Sequence, residues 1–299
     1  MILDARDPSN TRDEHLTPTR NRRVLPFVLA TFAFSWSIWV GLIVAHRVGA
    51  LSTEQVEALY GFGGAGPSLV ALVLVWSSDG ARGARAFLAR VLVWRVPPFW
   101  YCYALLLPVL LRMIALGLYL LAGGTWLAHP IAPVTVLVAY VVALIVPLME
   151  EYGWRGYLQP ALRAKWSATR TGLSVGAIWA LWHTPLFWIP GTGFYQWASV
   201  SGFPLAFTGY ALSVVALALV ITVQFECTGG NLLLVFLLHD AVNTSSDVLM
   251  APYVRAGIIA TTWWAVAVLL AAGAAALVWL RRRDALRRGG IPIGVAAAP

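Results

Sequence analysis

The chain has 299 residues, of which 60% are hydrophobic and 11% are charged, and its formal net charge is +8. A soluble domain carries about 25% charged residues, so this composition excludes a single soluble core and predicts that most of the chain lies in lipid. The positive charge does not indicate a nucleic-acid partner, because the arginines cluster just outside the apolar segments, as membrane-anchoring residues do. Cys102 and Cys227 form neither a metal-ligand spacing nor a disulfide framework.

The chain begins with a polar segment, residues 1–23, which carries charges of both signs and contains Pro8 and Pro18. It lacks the apolar core of a signal peptide, and its composition is typical of disorder. We therefore predict a disordered cytoplasmic tail.

The remainder of the chain is dominated by apolar segments long enough to span a membrane, which requires about 20 residues in a helix. These segments lie at 24–46, 61–77, 99–121, 133–155, 171–190, 205–225, 230–250 and 259–280. The second is short and begins with several glycines, so seven spans is the alternative to eight. The expected fold class is an all-α, polytopic transmembrane bundle, with a membrane domain at 24–281 and a flexible C-terminal tail at 282–299.

The distribution of basic residues predicts the orientation of this bundle. Arginines are frequent in both tails and in the segments at 78–98 and 156–170, whereas 122–132 and 190–204 contain no Lys or Arg. With eight spans all the basic segments lie on one side, which is the cytoplasmic side by the positive-inside rule. The excess of arginine over lysine indicates a GC-rich bacterial genome, so we expect an inner-membrane protein with both termini in the cytoplasm.

The fourth span ends in a pair of acidic residues, Glu150 and Glu151, followed by Arg155. Charged groups at membrane depth cost at least about 2.5–3.5 kcal/mol each, so such a pair requires a reason. On a helix, Glu151 and Arg155 share a face in the favourable order for an ion pair. Glu150 points about 100° away and stays available for other chemistry. The alternative is that both glutamates are interfacial charges at the end of a span.

The fifth span contains His183, four residues after Trp179. This spacing allows the indole to pack on the imidazole. Pro185 is expected to free a backbone carbonyl near Leu181 and to distort the helix beside the histidine. The alternative role for His183 is a hydrogen bond between helices.

The seventh span contains His239 and Asn243, which lie one above the other on one helix face. Both side chains can donate hydrogen bonds to a developing negative charge. The alternative is that Asn243 joins two helices through its amide. Asp247 continues the same face as a candidate supporting partner, whereas Asp240 points elsewhere and receives no role.

Three motifs in chain order resemble the CAAX protease and bacteriocin-processing (CPBP) family. They are E-E-x-x-x-R at 150–155, aromatic-x-x-x-H at 179–183 and H-x-x-x-N at 239–243, with the flanking sequences RGYL at 155–158 and WHTPL at 182–186. The resemblance covers about residues 134–250. Trp179 stands where the family usually has Phe, a change that keeps an aromatic wall. Val235 stands where some members have an aromatic residue, a difference that bears on the shape of the substrate pocket.

The resemblance implies an intramembrane endopeptidase, and we favour a site without a metal or other cofactor, although the family has been described both with and without zinc. By this resemblance Glu150 and His183 hold and activate a water molecule, and His239 and Asn243 form the oxyanion hole. Glu151 and Arg155 are then a buried pair that orients the site. The alternative within the enzyme class is a zinc site in which Glu150, His183 and His239 leave one position open for water; spacing does not decide between the two.

Two other classes of function are compared with this hypothesis. A non-catalytic scaffold or bacteriocin-immunity-type protein is expected to lose a catalytic glutamate or histidine, and this chain retains them all. A transporter is expected to show inverted repeats, and none is found in the sequence. The expected partners are therefore a membrane peptide or protein substrate and the lipid bilayer. Bacteria generally lack prenylated CAAX proteins, so a prenylated substrate is not predicted, and neither is an oligomeric state.

Overall fold

The computed structural model describes residues 23–127 and 132–288, and within these ranges all regular structure is helical. The α-helices there are α1 (Val24–Arg47), α2 (Thr53–Leu59), α3 (Gly66–Ala89), α4 (Pro98–Leu121), α5 (Pro133–Ala143), α6 (Ile145–Glu151), α7 (Gln159–Arg163), α8 (Ala168–Trp182), α9 (Gly193–Ser201), α10 (Phe203–Cys227), α11 (Leu232–Leu249), α12 (Ala251–Arg255) and α13 (Ala260–Arg288). The predicted all-α fold is confirmed.

Seven helical segments in the described ranges are long and apolar enough to cross a membrane. They are Val24–Arg47, Thr53–Leu92, Pro98–Leu121, Val136–Arg163, Phe203–Cys227, Leu232–Leu249 and Ala260–Arg287. The predicted span at 171–190 corresponds to α8, which has 15 residues and is therefore about 22 Å long. It packs mainly against α10 in the interior of the bundle. Seven long helices and the shorter α8 agree with the expected count of about eight.

The fourth predicted span, at 133–155, is divided into segments rather than forming one helix. α5 ends at Ala143 and α6 begins at Ile145, because Pro147 has no N–H to donate to the Ala143 carbonyl. A π-helix, Tyr152–Leu158, follows α6 directly, and α7 extends the segment to Arg163. Short π segments inside helices occur frequently at functional sites.

Hydrogen bonds between distant segments define one end of the bundle. Arg90 Nη1 donates to the Gly156 carbonyl at 2.8 Å, and Asn231 Nδ2 donates to the Val93 carbonyl at 2.7 Å. The backbone N–H of Arg23 donates to the Tyr157 hydroxyl at 3.1 Å. The start of α1, the end of α3, the π-helix and the start of α11 therefore meet at this end, which we call the arginine-rich end.

The C-terminal helix is also fixed at the arginine-rich end. The Asp284 carboxylate accepts hydrogen bonds from the backbone N–H groups of Ala168 and Thr169, each at 3.0 Å. Arg163 Nε pairs with Glu226 Oε1 at 2.6 Å. These contacts bring the start of α8 and the ends of α7, α10 and α13 to the same side of the bundle.

The two predicted tails lie largely outside the described residues, but their inner boundaries are visible. α13 continues past the predicted membrane-domain end at 281 and is helical to Arg288, the last described residue, and its Asp284 is held by the start of α8. Residues 282–288 are thus helical rather than part of a flexible tail. The predicted tails at 1–22 and 289–299 fall outside the described ranges.

Candidate active site

Glu150 lies at the end of α6, with only 5% of its surface exposed. Its Oε2 atom accepts a hydrogen bond from the Trp179 indole Nε1 of α8 at 2.7 Å. The first and second motifs are therefore in direct contact. Because the indole can only donate, it fixes the orientation of the carboxylate without competing for its proton.

Glu151 is fully buried and joins the first motif to the third. Its Oε1 atom accepts from Arg155 Nη1 at 2.6 Å, which is the ion pair that the sequence indicated. The same oxygen accepts from His239 Nδ1 at 2.8 Å, a contact that the sequence did not predict. Arg155 in turn lies 4.3 Å from the centroid of the Trp179 ring, so one carboxylate organises side chains from α6, α8 and α11.

His183 follows the last residue of α8. Its Nδ1 lies 2.8 Å from the Trp179 carbonyl, and since a carbonyl only accepts, Nδ1 carries the proton and Nε2 keeps its lone pair. The centroids of the Trp179 and His183 rings lie 5.9 Å apart. As expected from Pro185, α8 ends here in a 3-10 turn, and the freed carbonyl of Leu181 accepts a hydrogen bond from the Thr184 hydroxyl at 2.6 Å.

The side chains of Glu150, His183, His239 and Asn243 all line one cavity of about 880 Å³. Glu151 and Arg155 do not line it and lie behind its wall. These four side chains come from α6, the end of α8 and α11. The structure therefore brings the three motifs together as one site, with a supporting ion pair outside the cavity.

The amino-acid sequence of this region was compared with known proteins. Residues 130–245 match the family model for type II CAAX prenyl endopeptidases of the Rce1-like type, and all three motifs fall inside this range. This segment is therefore similar to Rce1-like domains. The resemblance noted over about 134–250 is thereby confirmed.

A curated protein is also similar to part of this chain. It is CAAX prenyl protease 2 of Methanococcus maripaludis, which is 25% identical to this chain over 128 residues. The aligned part makes up 43% of this chain and 45% of that protein. The match thus spans less than half the length of the curated relative.

The two remaining acidic residues of α11 differ in their position relative to the cavity. Asp240, 1% exposed, is buried and does not line the cavity. Asp247 is exposed and lines the cavity two turns beyond His239. Neither makes a side-chain hydrogen bond to the three motifs within the part of the chain that is described.

Arg112 on α4 and Tyr210 on α10 are among the polar residues of the cavity that sequence reasoning missed. The Tyr210 ring lies 5.3 Å from the His183 ring, and an aromatic residue in an apolar span gave no signal. Arg112 did give one, because a charge in the middle of the predicted span at 99–121 is as costly as the acidic residues that were noticed.

The zinc alternative was tested against the placement of its ligands. Within residues 23–127 and 132–288, no three His, Cys, Asp or Glu side chains form a group that could hold a metal ion. Glu150, His183 and His239 share the cavity wall but are not assembled as a ligand set. We therefore derive no step that passes through zinc.

Proposed function

We propose that this protein is an intramembrane endopeptidase that uses a glutamate-activated water. The observation that carries the proposal is the convergence of Glu150, His183, His239 and Asn243 on one cavity inside a bundle of membrane-spanning helices. Charged side chains at membrane depth cost free energy, so a cluster of them indicates a functional site. The Rce1-like match and the similarity to a protein named as a CAAX prenyl protease support peptide hydrolysis.

The first step is the attack of water on the peptide carbonyl. The Glu150 carboxylate and the free Nε2 of His183 accept hydrogen bonds from a water molecule between them. Glu150 removes one proton as the water oxygen bonds to the carbonyl carbon. The Trp179 N–H donates to one oxygen of Glu150, which keeps the carboxylate aimed into the cavity.

The negative charge then develops on the former carbonyl oxygen. His239 Nε2 and Asn243 Nδ2 donate hydrogen bonds to it, as preorganised donors do in an oxyanion hole. His239 already donates from Nδ1 to Glu151, so donation from Nε2 requires the protonated ring. The buried Glu151 carboxylate accepts from both His239 and Arg155 and offsets one of their two positive charges.

The second step releases the products. The carbon–nitrogen bond breaks as the Glu150 carboxyl returns its proton to the leaving amine. One water molecule is consumed, and a carboxylic acid and an amine form. A serine or cysteine nucleophile is not required, because the water is the attacking group.

The experiment that tests the proposal is a comparison of membrane peptides in cells that express the wild-type protein, Glu150→Gln or Asp240→Asn at equal levels. Glu150→Gln keeps size and hydrogen bonding but removes the base, so cleavage products should disappear. Asp240→Asn is the matched control, because it neutralises a buried acid that does not line the cavity. Products that persist in Glu150→Gln would support a non-catalytic scaffold instead.

A further inference from the structure

Arg112 is a charged residue deep within the membrane region of the bundle. It lies nine residues before the end of α4 at Leu121, which corresponds to about 14 Å along the helix. A guanidinium stays protonated in proteins. Its position at this depth therefore places a permanent positive charge well below the level of lipid headgroups.

The immediate surroundings of Arg112 are apolar. A small pocket around its side chain is lined by Pro108, Leu111, Val242, Ala265 and Leu269. Among the described residues, no carboxylate oxygen lies within 4 Å of its guanidinium, and no side-chain hydrogen bond from it is formed. Asp247 on α11 interacts with this charge across the cavity without forming a direct ion pair. A charge without a direct partner in such a place is destabilising unless a ligand or water compensates it.

The large cavity connects Arg112 to the catalytic residues. Arg112, Val242 and Asn243 all line this cavity, as does Asp247. Along α11, Val242 and Asp247 lie three and eight residues beyond His239, which corresponds to about 4.5 and 12 Å. Arg112 is thus on the cavity wall within roughly 12 Å of the oxyanion hole along the axis of α11.

We propose that Arg112 binds a carboxylate of the peptide substrate and thereby determines where the peptide is cut. The planar fork of a guanidinium matches a carboxylate through two parallel hydrogen bonds. An extended peptide advances about 3.3 Å per residue, so the carboxylate lies within about four residues of the cleaved bond. It is either the C-terminal carboxylate or an Asp or Glu side chain.

The charges and the depth of the cavity favour a peptide carboxylate. Among the charged side chains that line the cavity, Arg112, Arg255 and the His239 ring, protonated in the proposed mechanism, supply three positive charges, whereas Glu150 and Asp247 supply two negative charges. One further anionic group is therefore accommodated. A lipid phosphate lies at headgroup level, about 14 Å from Arg112 along α4. An extended peptide held at Glu150 reaches Arg112 directly.

This inference rests on the proposed peptidase function, and it is tested by binding so that the two can fail separately. The probe is a fluorescently labelled apolar hexapeptide in three forms: free acid, C-terminal amide, and amide with an Asp near the C-terminus. Each is titrated against full-length Glu150→Gln protein in lipid nanodiscs, with and without Arg112→Gln. Since hydrogen bonds to charged groups contribute strongly, at least one anionic form should bind about 10- to 100-fold more tightly than the neutral amide.

The preference for the anionic peptide should vanish in Arg112→Gln and weaken in Arg112→Lys, which keeps the charge but loses the fork. Arg255→Gln is the matched control, because Arg255 is an exposed arginine of the same cavity. In this variant the preference for the anionic peptide should survive at 0.5 M salt. A preference confined to the free acid identifies the C-terminus, and one for the Asp form identifies a side chain. Equal binding of all three forms, or a preference that persists in Arg112→Gln, would overturn the assignment, whether or not Glu150→Gln blocks cleavage.

Discussion

At the scale of single residues, Glu151 connects the parts of the site. It accepts hydrogen bonds from Arg155 and His239 through the same oxygen and is fully buried. A buried carboxylate requires such partners because desolvation is expensive. In the proposed mechanism, Glu151 holds Arg155 and His239 in place, whereas Glu150, which lines the cavity, acts as the base.

Glu151→Gln should lower both stability and activity. The amide keeps the shape but leaves Arg155 buried without its carboxylate, and breaking one partner of a buried pair costs about 3–5 kcal/mol. The free energy of unfolding in mixed micelles measures the loss. In the double variant Glu151→Gln/Arg155→Gln, part of it should return, because the unpaired charge is removed; equal losses in both proteins would contradict the pairing role.

His239→Ala should reduce turnover by about 10²–10³-fold, the usual effect of losing one oxyanion donor. The reduction should appear mainly in kcat, because the hydrogen bond forms in the transition state. The measurement is steady-state hydrolysis of a peptide identified by the membrane-peptide comparison. A change confined to KM would show that His239 binds substrate rather than stabilising the oxyanion.

At the scale of helices, the π segment Tyr152–Leu158 positions the first motif against α3. A Cβ atom added at Gly153 would lie within 2.5 Å of the Pro67 backbone, so the two segments approach each other at a distance that only glycine permits. Close helix contacts through small residues are typical of membrane bundles. The acidic pair is therefore fixed in space by a neighbouring helix as well as by its own.

Gly153→Ala should destabilise the protein by about 1–3 kcal/mol, the usual effect of overpacking a tight contact. Gly117→Ala in α4 is the matched control, because a Cβ there meets nothing within 4 Å and alanine favours a helix over glycine. Thermal unfolding of the two variants in detergent is the measurement. Equal stability of both would show that the contact with Pro67 is not tight.

The sequence predicted the long helices and the three motifs because hydropathy and charged residues at membrane depth are local signals. The break at Leu144 and the π segment were not predicted, since Pro147 alone does not specify where a helix interrupts. The Glu151–His239 contact joins residues 88 positions apart, and no pattern within one helix indicates it. Arg112 was missed although its position in a span at 99–121 carried the same signal as the glutamates.

At the scale of the whole molecule, the cavity and the basic segments lie at opposite ends of the bundle. Arg90 and Arg163 form their side-chain contacts at the arginine-rich end. The cavity extends to the segments around Thr192 and Arg255 at the other end. By the positive-inside rule, we expect the arginine-rich end in the cytoplasm and the cavity accessible from outside.

Cysteine labelling in intact cells tests this orientation. In a background with Cys102 and Cys227 replaced by serine, Ser199→Cys should react with a membrane-impermeant reagent and Lys165→Cys should not; both positions are exposed in the structure. After permeabilisation both should react. The reverse pattern would place the termini outside, and equal labelling of both positions in intact cells would contradict the span count.

The central claim is that Glu150 activates water without a metal. The most direct measurement is hydrolysis of the identified peptide by purified protein treated with a strong chelator, with bound metal quantified in the same sample and Glu150→Gln assayed in parallel. We predict full activity of the wild-type protein at zero bound metal and no turnover in Glu150→Gln. Activity that is lost with the chelator and restored by zinc, or turnover that persists in Glu150→Gln, would contradict it.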